Sequence, residues 1–273
     1  MLDEGVRTPP AQAAAATGGR ARGRRRLGFV SESRQEFEES WNAWHRARMR
    51  LVTAPHGLAS LVGTHWLSPE PQTVEGVPGR WYLDGAAIVG EDCTIDEGGE
   101  LLVGGRVLRN FRRDDDVALR VLDPDAPSRA AVADIDAYPP DPALVLKGRF
   151  RPAEDAARID LTEIDGYVES EALAGTVTVE IDGVEAELVV TGPLTRLEVV
   201  FSDTTSGDET YRFRFLTLRA DGGAGEIDVD LNRAYLPPCA FSDFYVCPLP
   251  PLQNRLTVPV RAGEKTVVRK EAA

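Results

Sequence analysis

Two short stretches place ionisable groups where they could do chemistry. In "TYRFRFL" (Thr210–Leu216), strand alternation sends Tyr211, Phe213 and Phe215 to one side and Arg212 and Arg214 to the other. In "EIDVDLN" (Glu226–Asn232), Ile227, Val229 and Leu231 take one face; Asp228, Asp230 and Asn232 take the opposite one. If the two strands pair across the Gly-rich turn between them, the arginines face the aspartates. Such a face has two readings. It is a solvent-exposed ladder of ion pairs, each worth roughly 0.2–1 kcal/mol. Alternatively it is the polar floor of a pocket roofed by the loop "NRAYLPPCAF" (Asn232–Phe241). The spacing predicts that Asp230 and Asn232 project together toward the Arg233–Phe241 segment, as ligand contacts or as loop anchors. Pro237-Pro238 then ends the strand, because proline cannot continue the ladder.

The remaining reactive side chains form no familiar constellation. The chain has no G-x-S-x-G elbow, no Walker loop, no G-x-G-x-x-G opening a helix and no H-E-x-x-H pair. His45, His56 and His65 lie in the N-terminal part, and the pair His56 and His65 lacks a nearby acidic partner at metal spacing, so no metal site is expected. Cys239 and Cys247 are eight residues apart under a Pro-rich loop. They lack the tight C-x-x-C spacing of a zinc knuckle. They are read as two buried, reduced thiols, although a disulfide is geometrically allowed if the loop folds back.

The elements that must position these residues are mainly strands. Residues 31–52 read as a helix, with Phe37, Trp41, Trp44 and Leu51 on one face and a capping box from Ser33 and Glu36. The tryptophans either stack on a ligand or pack; aromatics at helical spacing usually serve a core. "HGLASLVGTHWL" (His56–Leu67) reads as a short apolar helix or turn. From Arg80 the pattern becomes strands, with hairpin signals at Asp84-Gly85, Gly104-Gly105 and Asp182-Gly183. The Pro- and Asp-rich stretch Asp123–Pro142 reads as a linker or long surface loop. The second half is a meander of period two: Val177, Val179 and Ile181, then Val184, Ala186, Leu188 and Val190, then Leu197, Val199 and Phe201. The expected fold class is mainly β, an antiparallel sandwich or barrel-like architecture with two β subdomains and an N-terminal helical segment. The expected divisions are a basic tail at 1–26, a helical segment at 27–67, an N-terminal β subdomain at 68–130 and a C-terminal β subdomain at 143–273.

Composition narrows the partners. Hydrophobic residues are 42% of the chain, enough for a sizeable core, and the net charge is −13. Residues 1–26 carry six arginines against Asp3 and Glu4, a local +4, so the rest carries −17. That tail lacks apolar bulk and is expected to be disordered. A body so acidic repels nucleic acid and anionic membrane surfaces. No apolar run approaches the ~18 residues of a membrane span. The three cysteines are few and odd in number, and no signal peptide is evident, so a cytoplasmic setting is expected.

Three stretches carry a family resemblance. "FSDTTSGDETY" (Phe201–Tyr211), "VDLNRAYLPPCAFSDFYVCPLPPLQNRL" (Val229–Leu256) and "VRAGEK" (Val260–Lys265) resemble the bacterial domain-of-unknown-function family 1684. "GLASLVGTHWL" is similar to that family's N-terminal segment. Motif positions fall on Asp203, Thr210, Tyr211, Asp230, Asn232, Arg233, Tyr235, Cys239, Cys247, Asn254 and Glu264. Leu236 stands where the family has an asparagine. The resemblance implies that the N-terminal β subdomain is a degenerate, forkhead-associated-like sandwich. It lacks the Gly-Arg…Ser…His constellation that reads phosphothreonine. The resemblance brings no activity or cofactor with it. The candidate site residues are therefore Asp203, Tyr211, Arg212, Arg214, Asp230, Asn232, Arg233, Tyr235, Asn254 and Glu264. The first expectation is a module binding a small polar molecule. The alternatives are a purely structural or interaction protein, and a hydrolase. The hydrolase would use Asp230 or Glu264 as general base, with Arg233 or Arg212 stabilising negative charge.

Overall fold

Helix α1 (Arg34–Thr53) opens with Glu36 in its first turn and closes with Arg50 in its last, the order its dipole favours. The computed structural model describes residues 34–270; the expected basic tail and the Ser33 cap lie outside the described residues. The helix turns Phe37, Trp41, Arg48 and Val52 inward. This differs from the expected stripe: Trp44 is half-buried and Leu51 is 53% exposed. Their row runs beside the inward one, along the rim of a groove described below.

After α1 a single 3-10 turn (Leu58–Ser60) leads into strand β1 (Leu61–Trp66). The apolar run expected as a helix or turn is thus mostly strand, and His65 sits on it. Long-range pairing decides the matter, because β1 runs antiparallel to β8 (Asp116–Leu122). Between them lie β2 (Gln72–Val74), β3 (Val77–Asp84), β4 (Ala87–Val89), β5 (Thr94–Ile95), β6 (Glu100–Val103) and β7 (Arg106–Arg113). They form two four-stranded antiparallel sheets, ordered β1-β8-β7-β6 and β2-β3-β4-β5. Trp81, Ile88, Ile95, Leu108, Leu119 and Val121 fill the space between these sheets. The Gly104-Gly105 hairpin forms as expected, with both residues at positive φ.

The Asp123–Pro142 stretch, expected as a linker or loop, carries helix α2 (Pro127–Ala131) and strand β9 (Val132–Ala137). Val132 and Ile135 are buried beneath α1 with Val52, Leu236 and Phe241. A segment that buries such side chains is an integral layer, despite its proline content.

The C-terminal half supplies β10 (Val145–Pro152), β11 (Arg158–Thr162), β12 (Val168–Ile181), β13 (Val184–Thr191), β14 (Leu197–Phe201), β15 (Arg214–Leu218), β16 (Gly225–Asp230) and β17 (Glu264–Arg269). Seven strands make one sheet in the order β15-β14-β13-β12-β10-β16, with β11 attached to β12, while β17 pairs with β9. The sheet curls into a half-barrel around Phe150, Val177, Val190, Leu197, Val199, Leu216 and Val229. Along one edge β12 passes from β11 to β10, and the change falls at Gly175, beside a bulge between Leu173 and Gly175 on the other edge. A side chain there would strike the Arg151 carbonyl and the Phe150 ring. The tight Asp182-Gly183 turn has φ of 51° and 75°, the left-handed pair that this hairpin type needs.

One expected pairing fails. Strands β15 and β16 lie at opposite ends of the hydrogen-bonded path, so the arginines do not ladder against the aspartates. Asp228 instead pairs with Lys147 of β10 at 2.6 Å on the outer face. The expected strand "TYRFRFL" also begins only at Arg214. Both faces of β15 are covered. Arg214, Leu216 and Leu218 point into the half-barrel, and Phe213 and Phe215 join Leu61, Leu122, Val200 and Tyr245 in a second cluster. That second cluster joins the N-terminal sheets to the C-terminal one.

Candidate functional site

The motif residues form a set of interior clamps. Asp203 and Arg214 make an ion pair of 2.8 Å whose side chains are both wholly buried. Asp203 also accepts hydrogen bonds from the Thr205 amide and hydroxyl and from the Val260 amide. The Arg214 guanidinium donates to the carbonyls of Val260, Ala262 and Glu264. It thereby ties the "VRAGEK" segment to the curled sheet. Thr210 closes the turn through the Thr205 hydroxyl at 3.0 Å.

Glu264 is likewise wholly buried. Arg48 of α1 donates to both its carboxylate oxygens, at 2.8 and 3.0 Å, and the Leu236 amide adds a third bond at 2.7 Å. Gly263 makes this approach possible, since at φ 75° it lies against Ala234, where a Cβ would meet the Ala234 carbonyl. Asp230 caps the 3-10 turn Leu231–Arg233, so β16 ends at Asp230 and Asn232 lies beyond it. Asp230 accepts from the Asn232 amide and side chain and from Arg233 at 2.8 Å. Asn232 exchanges two bonds with the backbone of Asp141, and its own carbonyl accepts from the Trp41 indole. Arg233 reaches on to Ser40.

Asn254 has a related role. Strands β13 and β14 pair only at Thr191 and Glu198. The Asn254 side chain enters the gap between them, accepting from the Val189 amide and donating to the carbonyls of Val189 and Val200. A primary amide can replace a backbone unit in this way because it offers both donor and acceptor.

Cys239 and Cys247 are free and buried, as expected of two thiols under this loop. A hydrogen bond from the Cys247 thiol, helped by the Tyr211 hydroxyl and the Arg212 charge, brings Cys239 down to about 7. The same pairing, with burial, pushes Cys247 up. Tyr211 donates to the Cys239 carbonyl at 3.2 Å, and Arg212 lies exposed over the Tyr211 ring. Among the described residues no cluster of three metal-ligating side chains occurs.

A concave feature of mixed chemistry lies elsewhere. Residues of helix α1 and of the β14–β15 pair border a groove of about 340 Å³. Trp44, Leu51, Leu58, Phe215, Leu236 and Pro238 supply its apolar walls. Strand register builds its floor. Glu198 stands opposite Thr217 across the β14–β15 ladder, and Tyr235 pairs with Phe215 on the other edge of β15. The Tyr235 hydroxyl therefore lies 3.3 Å from the Thr217 hydroxyl and 3.5 Å from the Glu198 carboxylate. Burial raises the pKa of Glu198, while the nearby Arg196 charge pulls the other way. Burial, then the Glu198 charge, raises Tyr235. Arg48 lies 4.8 Å over the Tyr235 ring and so connects this floor to Glu264.

Of the ten candidate residues named from sequence, only Tyr235 lines this groove. Asp203, Arg214 and Asn254 are interior to the C-terminal sheet, Asp230, Asn232 and Arg233 pin a turn, and Tyr211 and Arg212 flank Cys239. Glu264 reaches the groove only through Arg48. Glu198, Thr217, Arg196 and Arg48 were missed. Glu198 alone had a visible signal, a carboxylate on a strand between Leu197 and Val199.

A family model described as a protein of unknown function, DUF1684, matches residues 130–265. A search of curated proteins gave no significant match. The chain is also similar to an uncharacterised protein of Haloarcula marismortui known from a solution NMR structure. The two are 30% identical over 49% of this chain and 76% of that one, with a TM-score of 0.41. No helix among the described residues is long and apolar enough to cross a membrane. The clamps around Asp203, Asn232, Asn254 and Glu264 thus fall within the matched span, and through it the chain belongs to the DUF1684 family.

Proposed function

We propose that the groove between α1 and the β14–β15 edge binds a small molecule with an apolar body and an uncharged polar head. The observation that carries this reading is the register of the floor. Glu198, Thr217 and Tyr235 bring three polar tips together beneath apolar walls. Arg48 is already matched by Glu264, and Arg196 and Glu198 offset each other, so the floor favours hydroxyl or amide groups over a net charge. The volume of about 340 Å³ lies at the small end of ligand pockets, which run from roughly 300 to 1,000 Å³.

A second reading makes Glu198 a general acid or base in a hydrolase. The observation favouring it is the upward shift that burial imposes on that carboxyl, which moves it toward a working pH. The hydrolase role then belongs to Glu198. The carboxylates of Asp230 and Glu264 are engaged by Arg233 and Arg48.

Native mass spectrometry of the purified protein tests the binding reading. A co-purified small molecule retained by wild type and lost from Leu51→Arg and Glu198→Ala is the expected result. Retention by both variants places the ligand elsewhere and overturns the proposal. Hydrolysis of neutral esters that survives in Glu198→Gln removes the second reading.

A further inference from the structure

Arg120 lies at the centre of the four-stranded sheet, on the face turned toward the C-terminal half. It stands on β8 two residues from Ala118, whose register partners are Trp66 and Phe111. The residue is only 8% exposed. Its Nε is fully buried with no hydrogen-bond partner. Among the described residues its guanidinium makes no hydrogen bond or ion pair; its close neighbours are aromatic faces. The Phe111 ring centroid is 3.3 Å from Cζ and the Tyr245 centroid 5.2 Å.

A guanidinium brings five N–H donors and a full charge, and burying it without an acceptor is strongly unfavourable. Arg109 stands directly opposite Arg120 on β7, an arrangement of like charges that destabilises a ladder. Glu100 engages Arg109, and Arg113 engages Glu163, so neither carboxylate is free to bond Arg120. The Tyr245 hydroxyl also finds no hydrogen-bond partner among the described residues. Burial brings Arg120 down to about 10, so it remains a cation at neutral pH.

We propose that Arg120, with the Tyr245 hydroxyl, forms a binding site for a small oxyanion, the carboxylate or phosphate group of a ligand. The guanidinium fork matches two coplanar oxygens, and the flanking Phe111 and Tyr245 rings hold it in plane. None of these side chains lines the groove at Glu198, so the two sites are independent.

Thermal unfolding at fixed ionic strength, with chloride replaced by inorganic phosphate or by acetate, tests the site. Wild type is expected to show a saturable rise in Tm with at least one anion, since a ligand binding only the folded state stabilises it. Which anion acts identifies the group recognised. The rise should vanish in Arg120→Met and require at least tenfold more anion in Tyr245→Phe. Identical Tm values for wild type in all three salts overturn the proposal, as does an undiminished rise in Arg120→Met. Should Arg120→Met fail to fold, the Arg120 Nε–H resonance of wild type decides. Movement on adding phosphate or acetate supports the site, and a resonance unmoved by both rejects it.

Discussion

Arg214 and Arg48 each meet a buried carboxylate deep in the molecule, whereas Arg196 meets the field of Glu198 at the mouth of a groove. The side-chain types are the same, but their hydrogen-bonding capacity is used differently. In the interior clamps every oxygen of Asp203 and Glu264 is taken by a guanidinium or a backbone amide. In the groove the Tyr235, Thr217 and Glu198 tips make only long bonds with one another, of 3.3 and 3.5 Å. The residues that carry the family signature therefore mainly hold loops in place. The concavity is built by register and by a distant helix, largely from residues outside the signature.

The sharpest test of this contrast is Arg214→Met. It leaves Asp203 as an uncompensated buried charge and strips donors from three carbonyls of the closing segment. Loss of about 3–5 kcal/mol is expected, because breaking one side of a buried pair has that effect. Urea unfolding measures it, and a loss under ~1 kcal/mol would show that the clamp does not hold the half-barrel. Next in size are Asn232→Ala and Asn254→Ala. Each removes a buried side-chain amide that makes three hydrogen bonds, so each should destabilise by ~1–3 kcal/mol. A stability that holds or rises on losing Asn232 would instead favour a ligand contact there.

How far the sequence foretold this depended on burial. The β12–β13 hairpin was legible because one face of each strand is solvated, so Thr178, Glu180, Glu185 and Glu187 mark the period of two. Strand β15 misled, since both of its faces are covered. Aromatic residues looked like the core side, yet Arg214 shares the interior with Leu216 and Leu218. Asp230 and Asn232 were recognised as a pair tied to the loop, but their partners at Asp141 and Trp41 are distant in sequence. The groove was hidden for the same reason. Its floor requires the register of β14 with β15, and its wall requires residues of the distant α1. No local pattern reports either fact.

Among the motif residues, Cys239 carries a thiol brought down toward neutral pH. Its thiol sits near 7 because Cys247 donates a hydrogen bond to it, while Cys247 is pushed the other way. Alkylation of the native protein should modify Cys239 at least tenfold faster than Cys247, with a pH midpoint near 7. Cys247→Ser should preserve much of that midpoint, since a hydroxyl also donates, whereas Cys247→Ala should raise it. Equal rates at the two thiols would show that access, rather than ionisation, governs this pair.

The smallest effect belongs to the groove, and its sign separates a working floor from a clamp. Burial raises the Glu198 carboxyl above its ordinary 4.5, so the folded state favours the protonated form. A raised pKa contributes stability that is fully present below the unfolded value and is lost as pH rises through the folded value. Glutamine at 198 keeps the shape and never ionises. Glu198→Gln should therefore match wild type in acid, below pH 4.5, and become the more stable of the two as pH climbs past the shifted carboxyl, with a plateau near neutrality. Asp203→Asn should do the reverse at neutral pH, because it weakens a pair that the wholly buried Arg214 needs. Paired Tm measurements across pH 4 to 8 read both variants against wild type. A neutral-pH loss in Glu198→Gln would place Glu198 with the clamps and dissolve the distinction between signature and groove. A gain confined to the upper part of that range would mark a carboxyl held where folding disfavours its charge, an arrangement expected where a site gives up stability for function.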